Sequence, residues 1–313
     1  YSTSFNLGNI GSWDVSKVTV MNSMFGGSGY NSAVDYYIGD LSGWDTSSVT
    51  NMNYMFWNTA RSAKEFNIGN LNGWNTSNVK SMNLMFYRTG YSAEIFNIGS
   101  LSGWDVSQIT SMYQMFQEAG YNASEFVLDL SGWNVSNVTT MAYMFYCAGY
   151  GATTWSVGDL SNWKPSNVTT MAYMFASAGH DASIFNLGNL YNWTTNKVTD
   201  MSYMFYYAGY KATNWNVGDL GGWDVSAVTT MAYMFNVAGY HASSFSLGNL
   251  DNWNVGSVTN MIYMFSSAGY NSTSWNVGDL FDWNVSNVQN LSYMFNKTGY
   301  NSTSWNIGDL SNW

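Results

Sequence analysis

The chain has 313 residues, of which only 9% are charged, and its net charge is −10. The nine Lys and Arg residues are scattered singly, so we expect no binding to nucleic acid through the phosphates. No apolar stretch approaches the roughly 18 residues that a membrane span requires. The single cysteine, Cys147, cannot form a disulfide within the chain, which indicates a reduced compartment or a surface protein that does without disulfides.

Tryptophan recurs at a nearly constant interval of 30 residues, at positions 13, 44, 74, 104, 133, 163, 193, 223, 253, 283 and 313. A period of this size is typical of a solenoid, in which every repeat forms one coil and packs on its neighbours. We count positions in the repeat from this Trp, which is position 0. We predict a single continuous array over residues 1–313, with about ten 30-residue coils and no terminal caps.

The first predicted element of each coil is a short helix of about three turns. It contains the Met-Phe phrase, as in "VTTMAYMFYCAGY" at residues 138–150, where the apolar positions 5, 8, 12 and 15 have helical spacing. A helix-capping residue, usually Ser, occupies position 3. Gly follows at position 16 in nine of ten repeats, which is typical of a helix end. The Met residues are interpreted as core filling.

The second predicted element is a short strand at the end of each repeat, as in "SWNVGDL" at residues 274–280, where apolar and polar residues alternate. We expect successive strands to stack in parallel, ~4.8 Å apart. Position 23, between the apolar residues, would then form an outward column of amides. This column is our candidate ligand-binding surface: Asn67, Asn97, Asn186, Asn216, Asn276 and Asn306.

The phrases "WDVSKVTVMNSMF" (13–25) and "WNVSNVTTMAYMF" (133–145) resemble those of the BspA-type leucine-rich-repeat surface proteins, in particular the W-D-x-S-x-V-T-x-M-x-x-M-F class of mycoplasma-type surface lipoproteins. The resemblance covers essentially the whole chain. It implies an α/β solenoid, leucine-rich-repeat-like, with one short parallel strand and one short helix per coil. It also implies an extracellular or cell-surface location and adhesion to a host or neighbouring-cell protein or glycan. The repeat of this chain is longer than the usual unit of that family.

A regular array leaves few candidates for chemistry, and we predict no catalytic residue, no cofactor and no metal. His180 and His241 lie in the variable segment after Gly and are expected to be exposed, and no pair of Glu residues is placed for acid–base work. The Asp or Asn at position 26 could hold Ca²⁺ between coils, but capping of backbone N–H groups is the stronger interpretation. Cys147 is interpreted as an incidental thiol. Among the Asn-X-Ser/Thr sequons, the best glycosylation candidates are Asn122, Asn271 and Asn301.

The leading functional prediction is a non-enzymatic extracellular solenoid, structural or adhesive, that belongs to a longer array or filament. One alternative is a fibre subunit that stacks end to end without any ligand. Another is a binder of ice or glycan surfaces, although Tyr37 and Val127 interrupt the uniform face that such binding needs. Head-to-tail contact is expected to use apolar residues of the two end coils: Phe5, Leu7, Ile10 and Trp13 at one end, and Trp305, Ile307, Leu310 and Trp313 at the other.

Overall fold

The chain winds into a parallel β-solenoid of about ten coils in a computed structural model, which describes residues 4–31 and 35–313. Every coil contributes one strand of three residues. These strands are β1 (Ser4–Asn6), β2 (Asp35–Tyr37), β3 (Glu65–Asn67), β4 (Ile95–Asn97), β5 (Glu125–Val127), β6 (Thr154–Ser156), β7 (Ile184–Asn186), β8 (Asn214–Asn216), β9 (Ser244–Ser246), β10 (Ser274–Asn276) and β11 (Ser304–Asn306). The predicted strand is confirmed, although it is shorter than the apolar alternation suggested.

Paired strands are parallel and in register, so that equivalent residues of successive repeats lie side by side. In β10 and β11, for example, Trp275 pairs with Trp305 and Asn276 with Asn306. Hydrogen bonding groups the strands as β1-β2, β3-β4, β5-β6, β7-β8 and β9-β10-β11. A strand of three residues cannot be stable alone, so each coil depends on its neighbours for backbone pairing.

The predicted helix is wrong. Among the described residues, the helices are three single 3₁₀ turns, at Ile10–Ser12, Leu71–Gly73 and Leu190–Asn192, and none of them lies in the Met-Phe phrase. In that phrase, alternate N–H groups bond to the next coil, as Met141 does to Thr170 and Phe145 to Met174, while the groups between them bond back by three residues. The fold is therefore not the helix-containing α/β, leucine-rich-repeat-like solenoid that the resemblance implies.

Backbone conformation explains why no α-helix forms here. Positions 10 and 14 have positive φ even where the residue is not glycine, as at Tyr143 (φ 59°) and Cys147 (φ 53°). A right-handed helix needs negative φ at every residue, so each such residue interrupts it. The strain of these conformations is offset by the hydrogen bonds to both neighbouring coils.

The expected helix caps also have another role. The carboxylate or amide at position 1 accepts the N–H of the residue at position 3, as Asp105 accepts from Ser107 at 2.9 Å and Asn134 from Ser136 at 3.2 Å. This is an Asx turn. Position 3 is therefore the donor in a tight turn and not the first residue of a helix.

The core is made of columns, each built from one position of the repeat. Position 12 supplies a stack of Phe rings, in which Phe145 lies 5.5 Å from Phe116 and 5.3 Å from Phe175. Position 0 supplies a stack of Trp rings, and each indole N–H donates to a carbonyl of the preceding coil, as Trp163 does to Leu130 at 2.9 Å. Met171 and Met174 are fully buried, so the prediction that the Met-Phe phrase faces the core is confirmed.

Candidate functional site

The predicted amide column lies on the outer face of the strands. All six asparagines at position 23 are exposed, whereas the aromatic residue before each one is buried or half-buried except in the last coil. Adjacent amides pair at two places in the column: Asn97 Nδ2 donates to Asn67 Oδ1 at 3.0 Å, and Asn216 Nδ2 donates to Asn186 Oδ1 at 2.8 Å. The column is not continuous, because four coils have another residue in place of Asn: Tyr37, Val127, Ser156 and Ser246.

Each of these asparagines also has a local structural role. Its Oδ1 accepts the N–H of the glycine two residues later, as Asn186 does from Gly188 at 3.0 Å. That glycine has positive φ, and a Cβ on it would clash with the Asp or Asn at position 26 of the preceding coil. Where serine replaces asparagine, its hydroxyl makes the same bond, as Ser156 does to Gly158 at 3.1 Å. An acceptor oxygen at this position, from an amide or a hydroxyl, therefore supports the turn, and the NH₂ group of asparagine is free to serve another contact.

Two grooves lie beside this column at the same place in the repeat. One, with a volume of about 730 Å³, runs past Tyr37, Asp40 and Asn67. The other, of about 440 Å³, runs past Ser156, Asp159 and Asn186. Their walls combine amides, hydroxyls, carboxylates and glycine backbone with aromatic and aliphatic side chains, among them Tyr37 and Trp155. Such mixed walls offer a ligand both hydrogen bonds and apolar contacts.

Position 26 forms a column of Asp and Asn that accepts backbone hydrogen bonds. Asp219 Oδ1 accepts from its own turn at Gly221, 2.7 Å away, and from Asn249 of the next coil at 3.2 Å. Within the described part of the chain, no group of three His, Cys, Asp or Glu residues is placed to hold a metal ion. The oxygens of this column cap N–H groups, as the stronger of our two interpretations required.

Two continuous columns of aromatic rings, which were not predicted from the sequence, lie on the outer side of the Met-Phe phrase. At position 10, Tyr143, Tyr173, Tyr203, Tyr233, Tyr263 and Tyr293 stack with ring centroids 4.3–4.9 Å apart. At position 17, a column runs from Tyr91 through Tyr121, Tyr150, His180, Tyr210, Tyr240 and Tyr270 to Tyr300, with spacings of 4.3–5.0 Å. We call these the tyrosine columns. The recurrence of Tyr at both positions was the signal that could have predicted them.

His180 lies inside one of these columns and not free in solvent. Its ring is 4.3 Å from that of Tyr150 and 4.7 Å from that of Tyr210, and its Nδ1 lies 2.7 Å from Asp181 Oδ1. Burial between the rings lowers the pKa of His180, although the bond to Asp181 opposes this shift. The expectation of solvent exposure is therefore wrong for His180, because stacking covers both faces of the imidazole.

His241 keeps a more open position, and its Nδ1 lies 3.0 Å from the amide nitrogen of Asn271. Of the three sequons predicted as glycosylation sites, Asn122 and Asn301 are exposed and Asn271 is half-buried. Asn301 Nδ2 donates to Asn271 Oδ1 at 2.7 Å. Because these two amides are in direct contact, glycans on both would crowd one another.

Cys147 is buried beside the tyrosines, and burial raises the pKa of its thiol to about 12. Its thiol therefore stays protonated and unreactive at neutral pH.

The residues predicted for end-to-end contact differ in exposure. Leu7, Trp13 and Trp305 are 48%, 52% and 43% exposed, and Phe5, Leu310 and Trp313 are half-buried. Ile10 and Ile307, by contrast, are 2% and 7% exposed. Each of these two is covered from one side by the adjacent coil, through the bonds of Ile10 N–H to Ile38 and of Leu280 N–H to Ile307. The expectation that they are exposed is wrong.

Taken with the fold, these surfaces define a β-solenoid repeat protein whose outer face carries columns of repeated side chains. The family described as "Mycoplasma protein of unknown function, DUF285" matches residues 1–120, 58–150, 90–209, 121–236 and 207–313. The chain belongs to this family. No curated protein and no solved structure matches the chain. Over the residues that the structure describes, no helix is long and apolar enough to cross a membrane.

Proposed function

We propose that the protein is a non-enzymatic, extracellular solenoid that serves as a structural or adhesive element of the cell surface. Its BspA-type resemblance motivates the location. The observation that carries the adhesive role is the exposed amide column beside the two grooves. Because the coils place the same groups at a constant spacing, a ligand with a repeating structure would meet one set of contacts after another. Many weak contacts of this kind add up through multivalency.

The partner that suits this surface is a neutral glycan or a protein that displays one. Free amide NH₂ groups and hydroxyls donate and accept hydrogen bonds without a net charge. Ring faces in the tyrosine columns, in contrast, are largely covered by their neighbours, as for Tyr173 and Tyr203, which stack at 4.3 Å. The proposed recognition therefore relies on amides more than on aromatic stacking, in contrast to most aromatic-lined sugar sites.

The adhesive role can be tested with a set of substitutions that the chain itself tolerates. Asn67→Ser, Asn97→Ser, Asn186→Ser and Asn216→Ser together would remove the outward NH₂ groups but keep an oxygen for the glycine N–H, as Ser156 does. We expect beads coated with this variant to lose most of their retention on host cells and on a panel of immobilised glycans. The matched control is Asn134→Asp with Asn284→Asp, because other repeats carry Asp at position 1. Equal retention of parent and variant would reject the column as the contact surface.

The cell-surface location is tested separately. Protease treatment of intact cells that produce the protein should remove it without releasing cytoplasmic markers. Protection of the chain until the cells are lysed would rule out the proposed location, whatever the result of the adhesion assay.

Assembly into a fibre is the second candidate function. The same inter-coil bond pattern recurs in every coil, so a coil of a second copy would fit an end coil as well as an interior neighbour does. Leu291 is 39% exposed, although interior residues in its column, such as Met261, are fully buried. Leu291→Lys should therefore abolish any growth of particle mass with concentration in light scattering, while Tyr191→Lys on the outer surface should not. A parent that stays monomeric at high concentration would exclude this function.

A further inference from the structure

The tyrosine columns place phenol rings in a geometry that favours one particular reaction. Tyr173 and Tyr203 lie with ring centroids 4.3 Å apart and planes 6° from parallel, and Tyr203 and Tyr233 lie 4.5 Å apart at 8°. These separations are close to the ~4.8 Å step between stacked strands. Adjacent rings are therefore related by a near translation along the solenoid, and each ortho carbon faces the equivalent ortho carbon of its neighbour at about the same distance.

The columns are also open to a reagent. The rings of Tyr173, Tyr203 and Tyr233 are half-buried, because each face is covered by the next ring while the edges stay at the surface. Burial raises the pKa of Tyr203 above its ordinary value of 10.0, so this phenol keeps its proton at neutral pH. Oxidation at the exposed edge must therefore remove both an electron and a proton.

We propose that the tyrosine columns are sites of oxidative cross-linking, in which hydrogen peroxide and a haem peroxidase join tyrosines thirty residues apart through a carbon–carbon bond. Each of two neighbouring phenols loses one electron and its phenolic proton and becomes a phenoxyl radical. The two radicals combine at their ortho carbons, and the hydrogen on each ortho carbon then moves to the oxygen to restore the phenol. The peroxide takes up the two electrons and two protons in total and is reduced to two molecules of water.

Such bonds would provide covalent cross-links within the chain, which a single cysteine cannot form. A bond between Tyr173 and Tyr203 closes a loop of one repeat, as a disulfide would, and ties two coils covalently. Because the columns pass through many coils, several such bonds could form in succession along the same molecule. The inference concerns a chemical modification and does not depend on the adhesive role.

Exposure alone predicts a different outcome, and this makes the proposal testable. Tyr191 is 47% exposed and has no ring stacked on it among the described residues. If oxidation followed exposure only, Tyr191 would react before the half-buried Tyr173 and Tyr203. With no ring beside it, it would form bonds mainly between separate molecules.

The experiment uses the intact chain at low concentration with a haem peroxidase and hydrogen peroxide. Trypsin cuts after Lys197, between Tyr173 and Tyr203, so a bond between them leaves two peptides joined with the loss of two hydrogens. We expect this joined pair, with dityrosine fluorescence, in material of monomer mass. Tyr203→Phe keeps the ring stack and should abolish the pair, whereas Tyr191→Phe should leave its yield unchanged.

The same reaction on denatured protein provides the second arm. If stacking directs the coupling, the yield of the Tyr173–Tyr203 pair should fall at least tenfold when the chain is unfolded. The proposal is overturned if dityrosine appears only in dimers, or if the pair forms equally well in folded and unfolded protein.

Discussion

At the scale of single residues, a side chain in a core column lies next to the side chains at the same position of the neighbouring repeats. Phe175, for example, stacks on Phe145 at 5.3 Å and on Phe205 at 5.6 Å. A substitution in the core therefore changes the surroundings of two further coils as well as its own. The stability of each position is shared along the array, which is the expected behaviour of a repeat protein.

Met174 tests whether the Met-Phe phrase faces the core. Its side chain has no exposed surface, so Met174→Asp would bury a carboxylate without a partner. We expect the free energy of unfolding to fall by at least about 3 kcal/mol, measured by denaturant titration followed by tryptophan fluorescence. Ser183→Asp, at an exposed position of the same region, is the control and should change stability little. A Met174→Asp protein with the parental midpoint would mean that this side chain is not buried.

His180 makes stability depend on pH. Its pKa in the folded chain is lowered from the ordinary 6.5 by burial between two tyrosine rings. The unfolded state therefore binds the proton more readily, so stability is full above about pH 6.5 and falls as the pH drops through the lower folded value. His180→Asn should lose this part of the pH dependence, which thermal melts between pH 7.5 and 5 would detect. Parallel melting curves for parent and variant would contradict the assignment.

We also expect His180→Ala and His241→Ala to leave any adhesion unchanged, because ten near-copies of the repeat share the contacts. Loss of adhesion in either variant would show that adhesion depends on a single localised site.

At the scale of elements, the sequence predicted the repeat, the strand and the buried side chains but not the conformation of the Met-Phe phrase. Apolar spacing at Val138, Met141 and Phe145 suits a helix. The same spacing also suits the observed backbone, in which every second N–H group bonds to the carbonyl three residues before it. Hydrogen bonds to neighbouring coils decide between the two conformations. Because the partners of these bonds lie in other repeats, no pattern within a single repeat predicts them.

The candidate site was predictable in the same partial way. The outward direction of Asn186 and Asn216 follows from alternation in the strand, and the structure places both on the surface. Their local bonds to glycine N–H groups and the breaks in the column could not be read from alternation. The stacked tyrosines were missed because their recurrence becomes a contact only when strands lie in register.

Gly179 shows how closely two elements approach. It has φ +51°, and a Cβ on it would lie 2.7 Å from Trp155 Cγ in the preceding coil. Gly179→Ala combines backbone strain with this clash, and we expect a loss of about 1–3 kcal/mol in the free energy of unfolding. Ala60 occupies the same position of its repeat with φ 50°, so Ala60→Gly is the reciprocal variant and should cost much less. Unchanged stability of Gly179→Ala would contradict the prediction, because the turn at Gly179 would then be able to move away from Trp155 at little cost.

At the scale of the whole molecule, register is the property that holds the solenoid together. Within each sheet, a strand pairs with the equivalent residues of the neighbouring coil, and the core columns continue from one sheet to the next. The array should therefore tolerate the insertion or deletion of a whole repeat but not of part of a repeat.

Deletion of residues 163–192 removes one repeat and joins Asn162 to Trp193. We expect this variant to fold, with the same circular dichroism per residue and a cooperative melt. Deletion of residues 163–177 removes half a repeat, brings unlike positions side by side and should leave a chain that aggregates or melts broadly. If both deletions behaved alike, column register would not control folding.

The hydrogen bonds between coils lie along the axis of the solenoid, as in the bonds of Met201 to Thr230 and Tyr203 to Ala232. A pulling force applied between the two ends therefore acts on these bonds in the direction in which they open, and it acts first on the outermost coil. The chain should yield by peeling one coil at a time at low force, each release adding about 100 Å of extended chain. Such a molecule would behave under tension as an extensible tether that re-forms when the load is removed.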